Sequence, residues 1–278
     1  MSSTHNTDDD MPLTIALTRA PSAQLAHCEL SFVDREPIDL QQAYAQHSAY
    51  NRALALAGCR VIELPPIDHL ADAVFVEDVA LVLDEVAIMT RPGAVSRRPE
   101  SASIAAALTE FRPLVTIESP GTLDGGDILR IDKRIYVGLS ERSNTAAIEQ
   151  LRHHAAAHGY SVTTVPIRGC LHLKSAVTQV AQSTVLLNPN WVDPAMFSDY
   201  AIIEVDPAEE HAANAVLIGD QLIYPKAFPR TAQRLAQSAI EIIAVDVSEL
   251  QKAEGAVTCC SLVFAGLQGA GSTPGNVD

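Results

Sequence analysis

No apolar run in the 278-residue sequence approaches the ~18 residues a membrane-spanning helix needs. The first ten residues, MSSTHNTDDD, lack the apolar centre of a secretory leader, so none is expected. Cysteine is sparse: there are five, with no CxxC spacing. Cys28, Cys59 and Cys170 stand singly, and Cys259 and Cys260 are adjacent. That count and spacing exclude a disulfide scaffold and a tetrahedral zinc pattern. The expected compartment is a reducing cytoplasm. Positive charge is also short, with 19 Lys and Arg against 34 Asp and Glu, a net charge of −15. Nucleic acids and anionic membranes demand a positive face, so neither is an expected partner. A cationic small molecule suits the charge better.

What is present fits a folded enzyme, with 47% apolar and 19% charged residues. No Pro/Gly/Ser-rich linker divides the middle, so a single catalytic domain is expected over residues 12–265. Residues 1–11 and 266–278 read as flexible tails, the latter from its GLQGAGSTPGNVD composition.

A repeat runs through the middle. VFVEDVALVLDEVAIMTRPG gives two strands, ESASIAAALTEF a helix and LVTIE a strand. The same order returns in GGDILRIDKRIYVGLS, TAAIEQLRHHAAAHG and SVTTVPI. It returns again from LHLKSAVTQVAQSTVLLNPN to AIIEVD, and from AANAVLIGDQLIYPKA to EIIAVDV. A fifth unit closes across the two ends, with CCSLVFAG pairing beside LTIALTRA, then QQAYAQHSAYNRALALAG and VIELPP. Units of about 40–50 residues are how propellers and solenoids are written. A three-layer α/β sandwich is the alternative, and periodicity alone leaves both open. In the fifth unit's helix, Ala43, Ala53, Leu54 and Leu56 are expected to face the core. Gly58 and Gly159 are expected helix ends, and Ser143 or Asn144 the cap before Ala146.

The polar residues that open each unit are the candidates for chemistry. Glu77 and Asp78 sit inside an apolar run. Adjacent strand residues face opposite ways, so sharing a ligand requires a bulge or a strand start. Asp124 and Asp127 flank two glycines, which otherwise read as a turn. His172 lies between leucines, where a satisfied core histidine is common. Cys259 and Cys260 lead an apolar strand and can simply pack. Singly, each has a bland explanation. Around a common axis, however, such positions converge into a thiol, an imidazole and carboxylates suited to a cation.

FVEDVALV, TRPGAVSRR, TLDGGDIL, GLSERSN, LHLKS and EGAVTCCSL, in that order between Leu13 and Phe264, resemble the dimethylarginine dimethylaminohydrolases. These belong to the guanidino-group-modifying superfamily with the arginine deiminases. The resemblance implies a five-bladed α/β propeller, or pentein, of ββαβ units. It implies hydrolysis of asymmetric dimethylarginine or monomethylarginine to citrulline and an amine, with no cofactor. It makes Cys259 the nucleophile, His172 the general acid–base and Asp124 the support of the histidine, and gives Cys260 no role. Asp78 would clamp the guanidinium, with Glu77 and Asp72 lining the site. Arg97 and Arg142 would hold the substrate carboxylate, Leu30 would lie in a covering lid, and the Ala253 carbonyl would touch substrate. No metal would be required, although zinc bridging Cys259 and His172 would inhibit. A homodimer is the candidate assembly.

One departure bears on substrate. Arginine deiminases carry an acid two residues after the histidine, and here that position is Lys174. The change favours the methylarginine branch. The rivals are an arginine deiminase, a hydrolase of another substituted arginine, and a non-catalytic guanidinium-binding protein.

Overall fold

The computed structural model of the chain describes residues 13–266, so the expected tails lie outside the described residues except Gly266. From the N-terminal side come β1 (Thr14–Arg19), α1 (Leu40–Leu56) and β2 (Arg60–Leu64). The second unit holds β3 (Ala80–Val82), β4 (Ala87–Met89), α2 (Ser101–Leu108) and β5 (Leu114–Thr116). The third holds β6 (Ile128–Ile131), β7 (Arg134–Leu139), α3 (Thr145–Ala156) and β8 (Ser161–Pro166). A one-turn α4 (Leu173–Ala176) opens the fourth, followed by β9 (Val177–Ala181), β10 (Thr184–Leu187), a 3₁₀ turn at Pro194–Phe197 and β11 (Ala201–Glu204). The fifth contains β12 (Val216–Ile218), β13 (Gln221–Pro225), α5 (Pro229–Gln237) and β14 (Ile242–Val245). The chain ends with α6 (Ser248–Gln251) and β15 (Leu262–Ala265).

These strands form five three-stranded sheets among the described residues. In each sheet the middle strand pairs antiparallel on one side and parallel on the other, as β4 does with β3 and β5. The antiparallel pair needs only a tight turn, and Asp132 (φ 53) and Gly219 (φ 55) supply left-handed backbone there. The parallel partner needs a crossover, which the helix provides. β15 returns beside β1, pairing Ala265 with Thr14, so the first sheet is assembled from both ends of the chain.

A unit this small cannot bury both faces of its sheet alone. Instead, five apolar clusters sit between neighbouring units. Ile15 and Phe264 pack with Met89 and Leu108, and Ile88 with Val137 and Leu151. Tyr136 packs with Val177 and Phe197, and Leu186 with Tyr224 and Leu235. Tyr50 and Leu54 close the circle against Ile223 and Leu250. The ring is a five-bladed α/β propeller, and the sandwich alternative falls away. The first strands of the units surround an axial cavity of about 300 Å³.

Most helix signals take their expected places. Asn144 caps α3, its side chain accepting from the Ala147 N–H at 3.0 Å. Gly58 and Gly159 end their helices at φ 94 and 79. Leu56 departs from expectation and is 78% exposed. The buried face of α1 runs through Ala43, His47, Tyr50 and Leu54, at steps of four, three and four. Leu56 lies two residues, about 200°, beyond Leu54 and so points outward.

Candidate active site

Single helical turns precede four of the five inner strands. They span Val76–Val79, Gly125–Asp127, Leu173–Ala176 and Thr258–Cys260. The FVEDVALV run is therefore strand only from Ala80 onward. The turn buries both neighbouring acids, Glu77 at 7% and Asp78 at 2% exposure. It also sends them to different sides. Asp78 lines a small pocket with His172, Asp124 and Cys259. Glu77 lines the axial cavity instead, bonded to Lys174 and to the Thr258 hydroxyl at 2.8 Å.

The two glycines of LDGGD are required by close approach. A Cβ on Gly125 would sit 1.9 Å from the Glu77 carbonyl oxygen, and one on Gly126 would sit 2.4 Å from His172 Nδ1. Without those side chains, His172 settles between carboxylates. Its Nε2 lies 3.1 Å from Asp124 Oδ2, and its Nδ1 lies 4.0 Å from Asp78 Oδ1. Asp127 fixes the histidine's turn from behind, accepting the Leu173 N–H at 3.0 Å and the Ser140 and Ser143 hydroxyls, each at 2.6 Å.

These contacts set the charges. Burial opposes the His172 cation, but Asp78, the hydrogen bond to Asp124, and the charges of Asp127 and Asp124 outweigh it, raising its pKa to about 9. Burial likewise opposes ionised Asp78, yet Arg97, His172 and the Gly126 N–H hold it at about 2. Burial first, then Glu77 and Asp78, push the Cys259 thiol up to about 12. The resting site is thus a neutral thiol beside an imidazolium and a firmly ionised carboxylate. Cys260 is fully buried, its Sγ 3.5 Å from the Ala256 carbonyl, and burial drives its thiol well above the usual range.

The expected binding residues divide. Asp72 and Ala253 line the pocket. Asp72 also accepts the Glu29 N–H at 3.2 Å, and burial raises its pKa. Arg142 lines the pocket and donates to the Ser31 hydroxyl at 2.8 Å. Arg97 is buried with its fork turned inward. It donates to Asp78 at 2.5 Å, to both Glu100 oxygens at 2.8 and 3.2 Å, and to the Phe75 carbonyl at 3.1 Å. In this arrangement it braces Asp78, which differs from the expected contact with a substrate carboxylate. Leu30 packs against the apolar cluster around Tyr50, while its neighbour Glu29 lines the pocket.

Sequence reasoning passed over Glu254, although it opens the EGAVTCCSL motif. Its Oε1 accepts the N–H groups of Ser31 and Val33, each at 2.8 Å, and that of Phe32. Glu254 adopts φ 57, an uncommon value for a residue with a side chain. The Ser96 hydroxyl donates to Glu29 at 2.5 Å on the other side. The loop around Leu30 is thereby fastened over the site, leaving about 20 Å³ of free space inside. That is close to the room one water needs.

Among the described residues, the ligand atoms of Asp78, Asp124 and His172 lie within 4.8 Å of one another, and Cys259 is not part of that group. Both His172 nitrogens face carboxylates, so a zinc ion bridging Cys259 and His172 would have to displace one of them.

A thiol, an imidazolium and buried carboxylates on the axis of a five-bladed α/β propeller define a pentein of the thiol-hydrolase type. A family model described as "N,N dimethylarginine dimethylhydrolase, eukaryotic" matches residues 18–264. A Streptomyces coelicolor N(G),N(G)-dimethylarginine dimethylaminohydrolase is 41% identical over 91% of this chain and 97% of its own. A Pseudomonas aeruginosa protein of the same name is 37% identical over 81% of this chain and 90% of its own. A solved Pseudomonas aeruginosa DDAH with citrulline superposes with a TM-score of 0.87 at 34% identity, covering 91% of this chain and all of that one. The chain belongs to the dimethylarginine dimethylaminohydrolase family.

Proposed function

We propose that this chain hydrolyses Nω-methylated arginines to citrulline and methylamine or dimethylamine, with Cys259 as the nucleophile. The observation that carries the reading is the His172–Asp124–Asp78 cluster sharing one lid-covered pocket with Cys259.

A guanidinium is resonance-stabilised and a poor electrophile, so it must be held with its central carbon over the sulfur. Asp78, ionised and braced by Arg97, is the partner for its N–H groups, with Asp72 nearby. Arg142, beside the lid, is the candidate to meet the substrate carboxylate. The arriving cation offsets the Glu77 and Asp78 charges that keep the thiol protonated. The thiol then loses its proton to water, and the thiolate adds to the guanidinium carbon. His172 gives its proton to the methylated nitrogen, the C–N bond breaks, and dimethylamine leaves. The residue left on Cys259 is a cationic S-alkylthiouronium. Now neutral, His172 takes a proton from water while the hydroxide adds to that carbon. As the C–S bond breaks, the added hydroxyl passes its proton to the departing sulfur, so citrulline leaves neutral and the Cys259 thiol is restored. Each step uses only groups of the chain, substrate and water.

Lys174 lies two residues after His172, where an arginine deiminase has an acid, and it pairs with Glu77 away from the pocket. This supports methylarginine over arginine. The expected setting is a cytoplasmic homodimer, which cell fractionation and sedimentation would check. No helix among the described residues is long and apolar enough to cross a membrane.

A citrulline colour assay with arginine, monomethylarginine and asymmetric dimethylarginine tests the reading. Product from the two methylated substrates supports it. Product from arginine alone replaces it with a deiminase, and no product from any of the three leaves a guanidinium-binding protein.

A further inference from the structure

Four units bring an acid, a histidine or a thiol to the axis. The fifth unit, β12 to β14, brings Asn214, a buried carboxamide that the mechanism above does not use. Asn214 is 4% exposed and stands two residues before β12. Its Oδ1 accepts the Thr258 N–H at 3.1 Å. Its Nδ2 donates to the Thr258 hydroxyl and to the Lys174 carbonyl, each at 3.0 Å. The orientation of the amide is fixed, since a backbone N–H only donates and a backbone carbonyl only accepts. Both Nδ2 hydrogens and the Oδ1 are therefore engaged.

The partners explain the role. Thr258 immediately precedes Cys259. Lys174 sits two residues past His172 on α4, whose cap is His172 itself. One side chain thus ties the turn that carries the thiol to the turn that carries the imidazole. Glu77 completes the circuit, bonded on one oxygen to the Thr258 hydroxyl and on the other to Lys174.

We propose that Asn214 is a positioning residue that sets the separation and orientation of Cys259 relative to His172. The proposal rests on the thiol-hydrolase reading above. No other residue type of this size supplies two donors and one acceptor in that plane. Aspartate keeps the shape but loses both donors, and it adds a negative charge beside Glu77, which already disfavours the thiolate.

The test measures kcat, KM, their pH dependence and the melting temperature for Asn214→Ala, Asn214→Asp and Thr258→Val beside the wild type. Displacing reacting groups by about an ångström lowers rates on the order of 100-fold. For Asn214→Ala, kcat should therefore fall 10- to 100-fold while KM moves less than about threefold, because Asp72 and Asp78 stand on other elements. Asn214→Asp should also move the acidic limb of kcat upward in pH. Thr258→Val removes one of the three Asn214 bonds together with the Thr258 bond to Glu77, and serves if the Asn214 variants do not fold; its kcat should fall several-fold with KM retained. A lowered melting temperature with unchanged kcat per folded molecule would overturn the proposal, as would an unchanged kcat for Thr258→Val. A wild type that forms no citrulline from any substrate would instead remove the reading beneath it.

Discussion

His172 holds its proton above neutrality because Asp124 at 3.1 Å and Asp78 at 4.0 Å face its two ring nitrogens. Its pKa is raised to about 9, so the general acid is present below that pH and lost as pH rises through it. The reacting state pairs a thiolate with an imidazolium, one proton fewer than the resting site holds, so kcat/KM should rise with pH to a limb near 9 and level off there. Asp124→Asn removes the bonded charge and should move that limb toward the ordinary histidine value; a limb that stays in place would contradict the pairing. The two cysteines differ just as sharply. Cys259 lines the pocket, whereas Cys260 is sealed in the cluster with Tyr50 and Leu250. Cys259→Ser should lower kcat by at least about 10³-fold, in the range seen when a nucleophile is removed. Cys260→Ser should keep most of the activity. The opposite order of the two variants would overturn the nucleophile assignment.

At the scale of elements, the loop around Leu30 is the part held over the pocket by side chains from other units. One carboxylate oxygen of Glu254 gathers three consecutive N–H groups of the lid, and Arg142 adds the Ser31 contact. Glu254→Ala should raise KM roughly tenfold, near the lower bound of ~1.5 kcal/mol for a hydrogen bond to a charged group. It should also speed trypsin cleavage after Arg35. Unchanged cleavage would mean that the latch does not hold the lid. Elements also mark the border of what was readable from sequence. Strand pairs and helices follow from alternation and caps, so β6, β7 and α3 took their expected places. The one-turn helices before the inner strands carry no periodicity, because three or four residues are too few to show one. That is why Glu77 was expected in the same pocket as Asp78, and why the turn that separates them emerged only in three dimensions. Arg97 could be named as important from its motif. Its direction could not, because Glu100 and the Phe75 carbonyl that receive it become neighbours only through folding. Asn214 and Glu254 act through partners 44 and more than 220 residues distant, and a single sequence carries no mark of such pairs.

At the scale of the whole molecule, no unit is independent, since every apolar cluster is shared by two neighbours. β15 is the closing piece, and Phe264 packs edge-on against Phe111 at 5.3 Å across one of those boundaries. Phe264→Ala should destabilise the fold by ~3–4 kcal/mol, as large-to-small core changes do. It should leave a single unfolding transition by both far-ultraviolet dichroism and tryptophan fluorescence. Two separated transitions would contradict a closed ring. Closure also explains the site, because residues from opposite ends of the sequence meet only when the sheet of β15, β1 and β2 forms. Of the 34 acids, those drawn to the axis sit among apolar strands, and their charges tune one thiol and one imidazole.

The central claim is that Cys259 takes the guanidinium carbon and expels the methylated nitrogen. The most direct measurement is mass spectrometry of the enzyme quenched with acid during turnover of monomethylarginine and, separately, asymmetric dimethylarginine. The account predicts one adduct on the peptide containing Cys259, absent from Cys259→Ser, with the same mass from both substrates because the differing amine has already left. An adduct on Cys260, or two adduct masses that keep the methyl difference, would contradict it.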